Sequence, residues 1–172
     1  MVIDVNEIPR EGLHIDQDFD FASLDLVEEE AVLLEPTHAV VEVRKAGSEV
    51  LVKGKITTRL SFICSRCLRP FEYAVDSIFD LVYLPEELDE VKEELEEEDL
   101  ERFFYYHQQL DLREIILEQL NLSFPLRPLC SEDCEGICPV CGELINQGRC
   151  SCQVQEFDPR LEKLKSFLRD KK

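Results

Sequence analysis

The sequence predicts an α+β fold, in which an antiparallel β-sheet or partly open barrel packs against a helix and leads into a C-terminal Cys-rich module and a terminal helix. Three observations carry this reading. Apolar and charged residues alternate with a period of two through "HAVVEVR", "VLVKGKITTRLSFIC" and the stretch after "CSRCLRP". The segment "LDLREIILEQLNLSFP" shifts to helical spacing, and all eight cysteines fall into close pairs.

Residues 1 to 36 read as a leader in which "MVIDVNEI" can form a strand, followed by acid-rich chain with isolated apolar anchors. "HAVVEVR", the turn signal "KAGSE" and "VLVKGKITTRLSFIC" then make a hairpin. Val52, Ile56, Leu60 and Phe62 share one face of its second strand, whereas Lys53, Lys55, Thr57, Arg59 and Ser61 share the other. One side is therefore core and the other a basic, solvent-facing stripe. A further strand follows "CSRCLRP", with Tyr73, Val75, Phe79, Leu81 and Tyr83 opposite Glu72, Asp76 and Asp80, and Pro85 ends it.

The tract from Glu86 to Glu101 sets eleven acids against Lys92 alone, so like-charge repulsion favours a short frayed helix or a loop. A helix starts near Asp111, its buried stripe being Leu112, Ile115, Ile116 and Leu120. Pro125 and Pro128 extend the chain into the cysteines. The closing "DPRLEKLKSFLRDKK" has Asp158 as N-cap, Pro159 at the first helical position, and Leu161, Leu164, Phe167 and Leu168 as an apolar face. Three parts result: a β-rich domain over 1–122 containing acidic segment 86–101 and helix 111–122, a Cys-rich module over 123–157, and a C-terminal helix over 158–172, which can together form one cooperative unit.

With 172 residues, 44% of them apolar, the chain can build a core without help from its cysteines. It contains no apolar run near the roughly 20 residues needed to span a bilayer, and "MVIDVNEIPREG" lacks the basic start and apolar run of a secretory signal. The cytoplasm is the default address, and in a reducing compartment closely spaced cysteines hold metal more often than they form disulfides. A formal charge of −19 disfavours indiscriminate nucleic-acid binding. From Leu51 to Phe71 the sign reverses, with Lys53, Lys55, Arg59, Arg66 and Arg69 and no acid. These five are the candidate RNA- or partner-binding residues, against the plainer reading of a solubilising face.

The cysteine pairs are Cys64 with Cys67, Cys130 with Cys134, Cys138 with Cys141, and Cys150 with Cys152. Zinc takes four thiolates in a tetrahedron, and a two-residue spacer lets one tight turn present two of them. Eight ligands make two sites, which defines the C-terminal Cys-rich region as a zinc module. A nested allocation gives one ion to Cys138, Cys141, Cys150 and Cys152, and the other to Cys64, Cys67, Cys130 and Cys134, tying sheet to module. A ribbon allocation instead joins Cys64 and Cys67 to Cys138 and Cys141. Iron–sulfur clusters use the same donors. Sites with four protein thiolates are usually structural, because a catalytic zinc keeps a position open.

No enzyme is expected. His14, His38 and His107 lie far apart, and the chain has no G-x-S-x-G, phosphate-binding glycine loop or H-E-x-x-H. The acids of 86–101 are too uniform to single out an acid/base pair; they suit a solvated face or a docking surface for a basic protein.

The order "VNEIPREGL", "CSRCLRPFEY", "DLREIILEQLNLSFPLRPLC", "CEGICPVCG" and "DPRLEKLKSFL" resembles the large ribosomal RNA subunit accumulation family of bacteria and plastids, the YceD-like proteins. The resemblance is strongest from Leu60 to Leu168. It implies a role in synthesis, processing or stability of 23S ribosomal RNA, and so in ribosome biogenesis. The expected protein is a non-catalytic, zinc-bearing factor whose partners are ribosomal RNA precursor or ribosomal assembly proteins. The alternatives are a zinc-stabilised protein–protein adaptor without RNA contact and, further off, an rRNA-processing nuclease.

Overall fold

The computed structural model describes residues 1–28, 30–86, 102–145, 148 and 151–152, with nothing stated of the side chains of Leu24 and Arg102. The acidic tract from residue 87 and the C-terminal helix expected over 158–172 lie outside the described residues.

A long hairpin organises the sheet. Strand β4 (Thr37–Ala46) turns at Gly47 into β5 (Glu49–Ile63), which pairs along almost its whole length with β6 (Pro70–Pro85). Gly47 takes φ 68° in that turn, a region open to glycine at no steric cost. Burial alternates as the pattern requires: Val50, Val52, Ile56, Leu60 and Phe62 are buried, whereas Lys53, Lys55 and Arg59 are exposed. Opposite Gly54 lies Phe79, whose ring would come within 2.5 Å of any Cβ placed there. The glycine makes room for the ring across the strand pair.

The sheet extends on both sides of this hairpin. Strand β2 (Leu13–Phe19) pairs antiparallel with β4, β3 (Val32–Leu33) continues the same edge of β5 beyond it, and β7 (Arg102–Tyr105) runs parallel to β6. The order is β2-β4-β5-β6-β7, and among the described residues β2 does not pair with β7. The sheet is thus mixed and open rather than a closed barrel. A separate two-stranded piece joins β1 (Val2–Asp4) to β8 (Gln109–Asp111), so "MVIDVNEI" does supply a strand. "LHIDQDF" is also a strand, within a leader that the sequence reading treats as largely irregular; its alternation of Leu13, Ile15 and Phe19 with polar residues is the period-two signal.

Helix α1 (Leu112–Leu122) starts where Asp111 accepts a hydrogen bond from the Arg113 N–H at 2.9 Å. It buries Leu112, Ile115, Ile116 and Leu120, the stripe its spacing requires. Together with Ile3, Val5, Phe21 and Leu26, these residues cover one face of the sheet. Each large apolar side chain removed from water in this way contributes about 1.5–3 kcal/mol.

Past α1, the chain is aimed at the β5–β6 turn. The Phe124 ring meets that of Phe62 edge-on with centroids 5.1 Å apart, and Phe62 also contacts Tyr73 at 5.6 Å. The Pro128 carbonyl then accepts the Ser65 N–H at 2.9 Å and the Ser65 hydroxyl at 3.1 Å. Aromatic packing followed by backbone pairing delivers Cys130 to Cys64.

Candidate metal centre

The two C-x2-C pairs are held by loops with the same hydrogen-bond pattern. In the first, the Cys64 N–H donates to the Arg69 carbonyl at 2.9 Å while the Cys64 carbonyl accepts from the Leu68 N–H at 2.9 Å. In the second, the Cys138 N–H donates to the Glu143 carbonyl at 2.7 Å while the Cys138 carbonyl accepts from the Gly142 N–H at 2.8 Å. The equivalent residues Leu68 and Gly142 have φ of 58° and 74°. Glycine adopts that region freely and leucine does so at a cost. The loop turns amide N–H groups toward sulfur: that of Val140 lies 3.4 Å from the Cys138 sulfur.

Four sulfurs converge where the first loop meets the segment after Pro128. Cys64, Cys67, Cys130 and Cys134 all place their sulfurs within 4.8 Å of one another. Cys64 and Cys134 are 3.8 Å apart, and Cys67 and Cys130 are 3.6 Å apart. A tetrahedral ion with sulfur at about 2.3 Å requires edges of about 3.8 Å, whereas a disulfide would need about 2.05 Å. The donor set therefore fits a four-thiolate metal ion. Cys64, Cys67 and Cys134 are buried, and Cys130 is on the exposed side.

The electrostatics of the four thiols are uneven. Burial works to raise the Cys64 thiol, but backbone N–H groups of Cys130, Cys67 and Arg66 outweigh it and bring it down to about 6. Cys67 is lowered chiefly by the Arg69 backbone N–H, against burial. Cys130 is pushed up to about 12, first by its hydrogen bond with Cys67 and then by burial, while burial raises Cys134. A cation at the centre of the four sulfurs would favour the thiolate form of all of them.

A second group brings the sulfurs of Cys138, Cys141 and Cys152 within 4.8 Å of one another; Cys150 lies outside the described residues. The sulfurs are therefore grouped in the nested order and not in the ribbon order. Two Cys-rich groups can hold metal ions.

Two residues beyond the ligands fix the junction between sheet and module. Arg66 donates from Nη1 to the carbonyls of Glu132, at 3.0 Å, and Cys134, at 2.7 Å. Gly136 has φ 81°, and a Cβ there would stand 2.8 Å from the Arg66 carbonyl oxygen. "CEGIC" carried the signal for this close approach, but its meaning depended on Arg66, 70 positions upstream.

The basic stripe is compensated across the sheet. Lys53 pairs with Asp80 at 2.6 Å, Lys55 with Asp76 at 2.8 Å, and Arg59 with Glu35 at 3.0 Å. The absence of acids from Leu51 to Ile63 does not produce an uncompensated patch, because register brings acids from β6 alongside. Arg66 is engaged in the junction, and Arg69 is exposed beside Cys67. Of the histidines, His38 faces Asp18 at 2.8 Å and Asp16 at 3.5 Å on the exposed side.

The family described as large ribosomal RNA subunit accumulation protein YceD matches residues 52–168, from β5 through α1 and across all eight cysteines. The chain belongs to the YceD family. An uncharacterized protein of Mycobacterium tuberculosis (strain ATCC 25618 / H37Rv) is 30% identical over 129 residues, covering 74% of this chain and 60% of that protein. An uncharacterized protein of Mycobacterium bovis matches to the same extent. The chloroplastic large ribosomal RNA subunit accumulation protein YCED homolog 1 of Arabidopsis thaliana is 23% identical over 146 residues, 72% of this chain and 46% of that one. The chain thus spans about half to three fifths of the length of these relatives. No solved structure matches it. Among the described residues, no helix is long and apolar enough to cross a membrane.

Proposed function

We propose that this protein is a cytoplasmic, non-catalytic factor in the synthesis, processing or stability of 23S ribosomal RNA during large-subunit biogenesis, built around two structural zinc ions. The family match over 52–168 carries this reading. Zinc is favoured for the first site because four protein thiolates at tetrahedral spacing fill its coordination and leave no position for substrate. By sequence spacing alone, Cys150 is the fourth ligand this reading assigns to the second site. The ions serve to hold the β5 face in place, and the charge of segment 86–101 suits a basic ribosomal or assembly protein as partner.

The ion pairs of Lys53, Lys55 and Arg59 favour a second reading, a zinc-stabilised adaptor that meets ribosomal precursors through protein. Phosphates would have to compete with Asp80, Asp76 and Glu35 for these cations. Depletion of the protein, with 23S relative to 16S ribosomal RNA as the readout, tests the first reading; an unchanged ratio refutes it. Crosslinking in cells with identification of the bound RNA or protein separates the two. Direct RNA contact also requires in vitro affinity that falls steeply with salt, whereas an adaptor has none at any salt.

A further inference from the structure

A second concave site lies at the opposite end of β6 from the cysteines. It is a groove of about 480 Å³ bounded by β7, β8 and α1, and its walls include Tyr83, Phe103, Tyr106, Glu114 and Glu118. The rings of Tyr83 and Phe103 pack with centroids 5.4 Å apart, forming an aromatic floor, and Tyr106 stands exposed at the rim.

The charge in this groove is unbalanced. Glu114 and Glu118 sit one turn apart on the same face of α1, a like-charged spacing that weakens a helix. Among the described residues neither has a cation within ion-pair distance, in contrast to the paired acids on the other face of the sheet. Tyr83 adds an unpartnered hydroxyl that opens into the groove. It is only 6% exposed and lines the groove, yet among the described residues its hydroxyl has no hydrogen-bond partner. Burial raises its pKa, and the charges of Glu118 and Glu114 raise it further, which reports a negative potential at the hydroxyl.

Aromatic faces, two unpaired carboxylates and an unused phenol together select a cation carried on an apolar stem. The aromatic floor attracts the charge over its face, the carboxylates pair with it, and the concavity covers the methylenes of an arginine or lysine. We propose that this groove is a docking site for an extended Arg/Lys-rich segment of a partner protein, which inserts a basic side chain between Tyr83, Phe103 and the Glu114/Glu118 pair. This goes beyond the proposed role in ribosomal RNA accumulation and can fail or succeed independently of it.

The test is fluorescence anisotropy with a labelled short Arg/Lys-rich peptide and the full chain at moderate salt. Three variants are compared: Glu114→Gln/Glu118→Gln, Tyr106→Ala, and Asp76→Asn/Asp80→Asn. The last makes the same change in net charge on the opposite face. Losing the groove carboxylates should weaken binding about tenfold, as expected for removing two exposed ion-pair partners. Tyr106→Ala should weaken it less, and Asp76→Asn/Asp80→Asn should leave it unchanged. All of the changed residues are exposed, and retained thermal unfolding midpoints verify the fold. Equal weakening by both charge variants, no binding by wild type, or complete competition by free spermidine at the peptide's own affinity would overturn the proposal.

Discussion

The sulfur of Cys64 lies 3.8 Å from that of Cys134, across 70 positions of sequence. Between them run all of β6, β7, β8 and α1, so a metal ion at this point closes the sheet, the helix and the module into one structure. Cys141 belongs to the other group, whose members all come from the module. Loss of the two residues should therefore have different consequences. Cys134→Ser should lower global stability by more than about 4 kcal/mol, the range associated with losing a structural metal. Cys141→Ser should leave the main unfolding transition near that of wild type. Amide hydrogen exchange checks this: the first change should raise exchange throughout β5 and β6, and the second only in the module.

Gly136→Ala should separate the module from the sheet without touching a ligand. Its new Cβ would stand 2.8 Å from a backbone oxygen of Arg66, at a residue whose φ already requires glycine. A cost of about 1–3 kcal/mol in chemical denaturation is expected, with zinc affinity at the first site reduced. Arg66→Lys should also weaken the junction, since both carbonyls accept from Nη1 at the tip of the longer arginine side chain, a position that the lysine ammonium does not reach without a shift.

The paired loops provide a matched test of backbone strain. Leu68 is exposed and left-handed, whereas Gly142 occupies the equivalent place with nothing within 4 Å of where a Cβ would stand. Leu68→Gly should stabilise the protein by about 0.5–1 kcal/mol, and Gly142→Ala should destabilise the module alone by about 1–2 kcal/mol. The denaturation midpoint at saturating zinc decides the first, and amide hydrogen exchange within the module decides the second.

Tyr83 predicts behaviour at alkaline pH. Its folded-state pKa is raised above the ordinary 10, so the neutral form is favoured in the folded protein. The unfolded chain releases the proton first, and stability should therefore fall as pH rises above about 10. Tyr83→Phe should remove part of that slope, as followed by urea denaturation across the alkaline range.

The alternation in β4, β5 and β6 was legible because each strand has one buried face, and a shift of one residue would have exposed Val52, Ile56 and Leu60. The α1 boundary was legible from Asp111 and its apolar stripe. The grouping of the cysteines followed from their local spacing and the short path between Cys138 and Cys152. What the sequence did not disclose depends on register and distance. Asp80 and Asp76 neutralise Lys53 and Lys55 only because β6 pairs with β5 in one register. Strand β7 joins parallel to β6, and β1 meets β8 across more than a hundred positions; no local pattern marks either pairing.

Native mass spectrometry of Cys64→Ser/Cys141→Ser tests the central claim, that the first metal ion joins the sheet to the module. In the nested arrangement these residues bind different ions, so wild type should carry two zinc ions and the double variant neither. If Cys64 and Cys141 shared one ion, the variant would retain the other; a double variant that keeps one zinc, or a wild-type protein without zinc, would contradict the account.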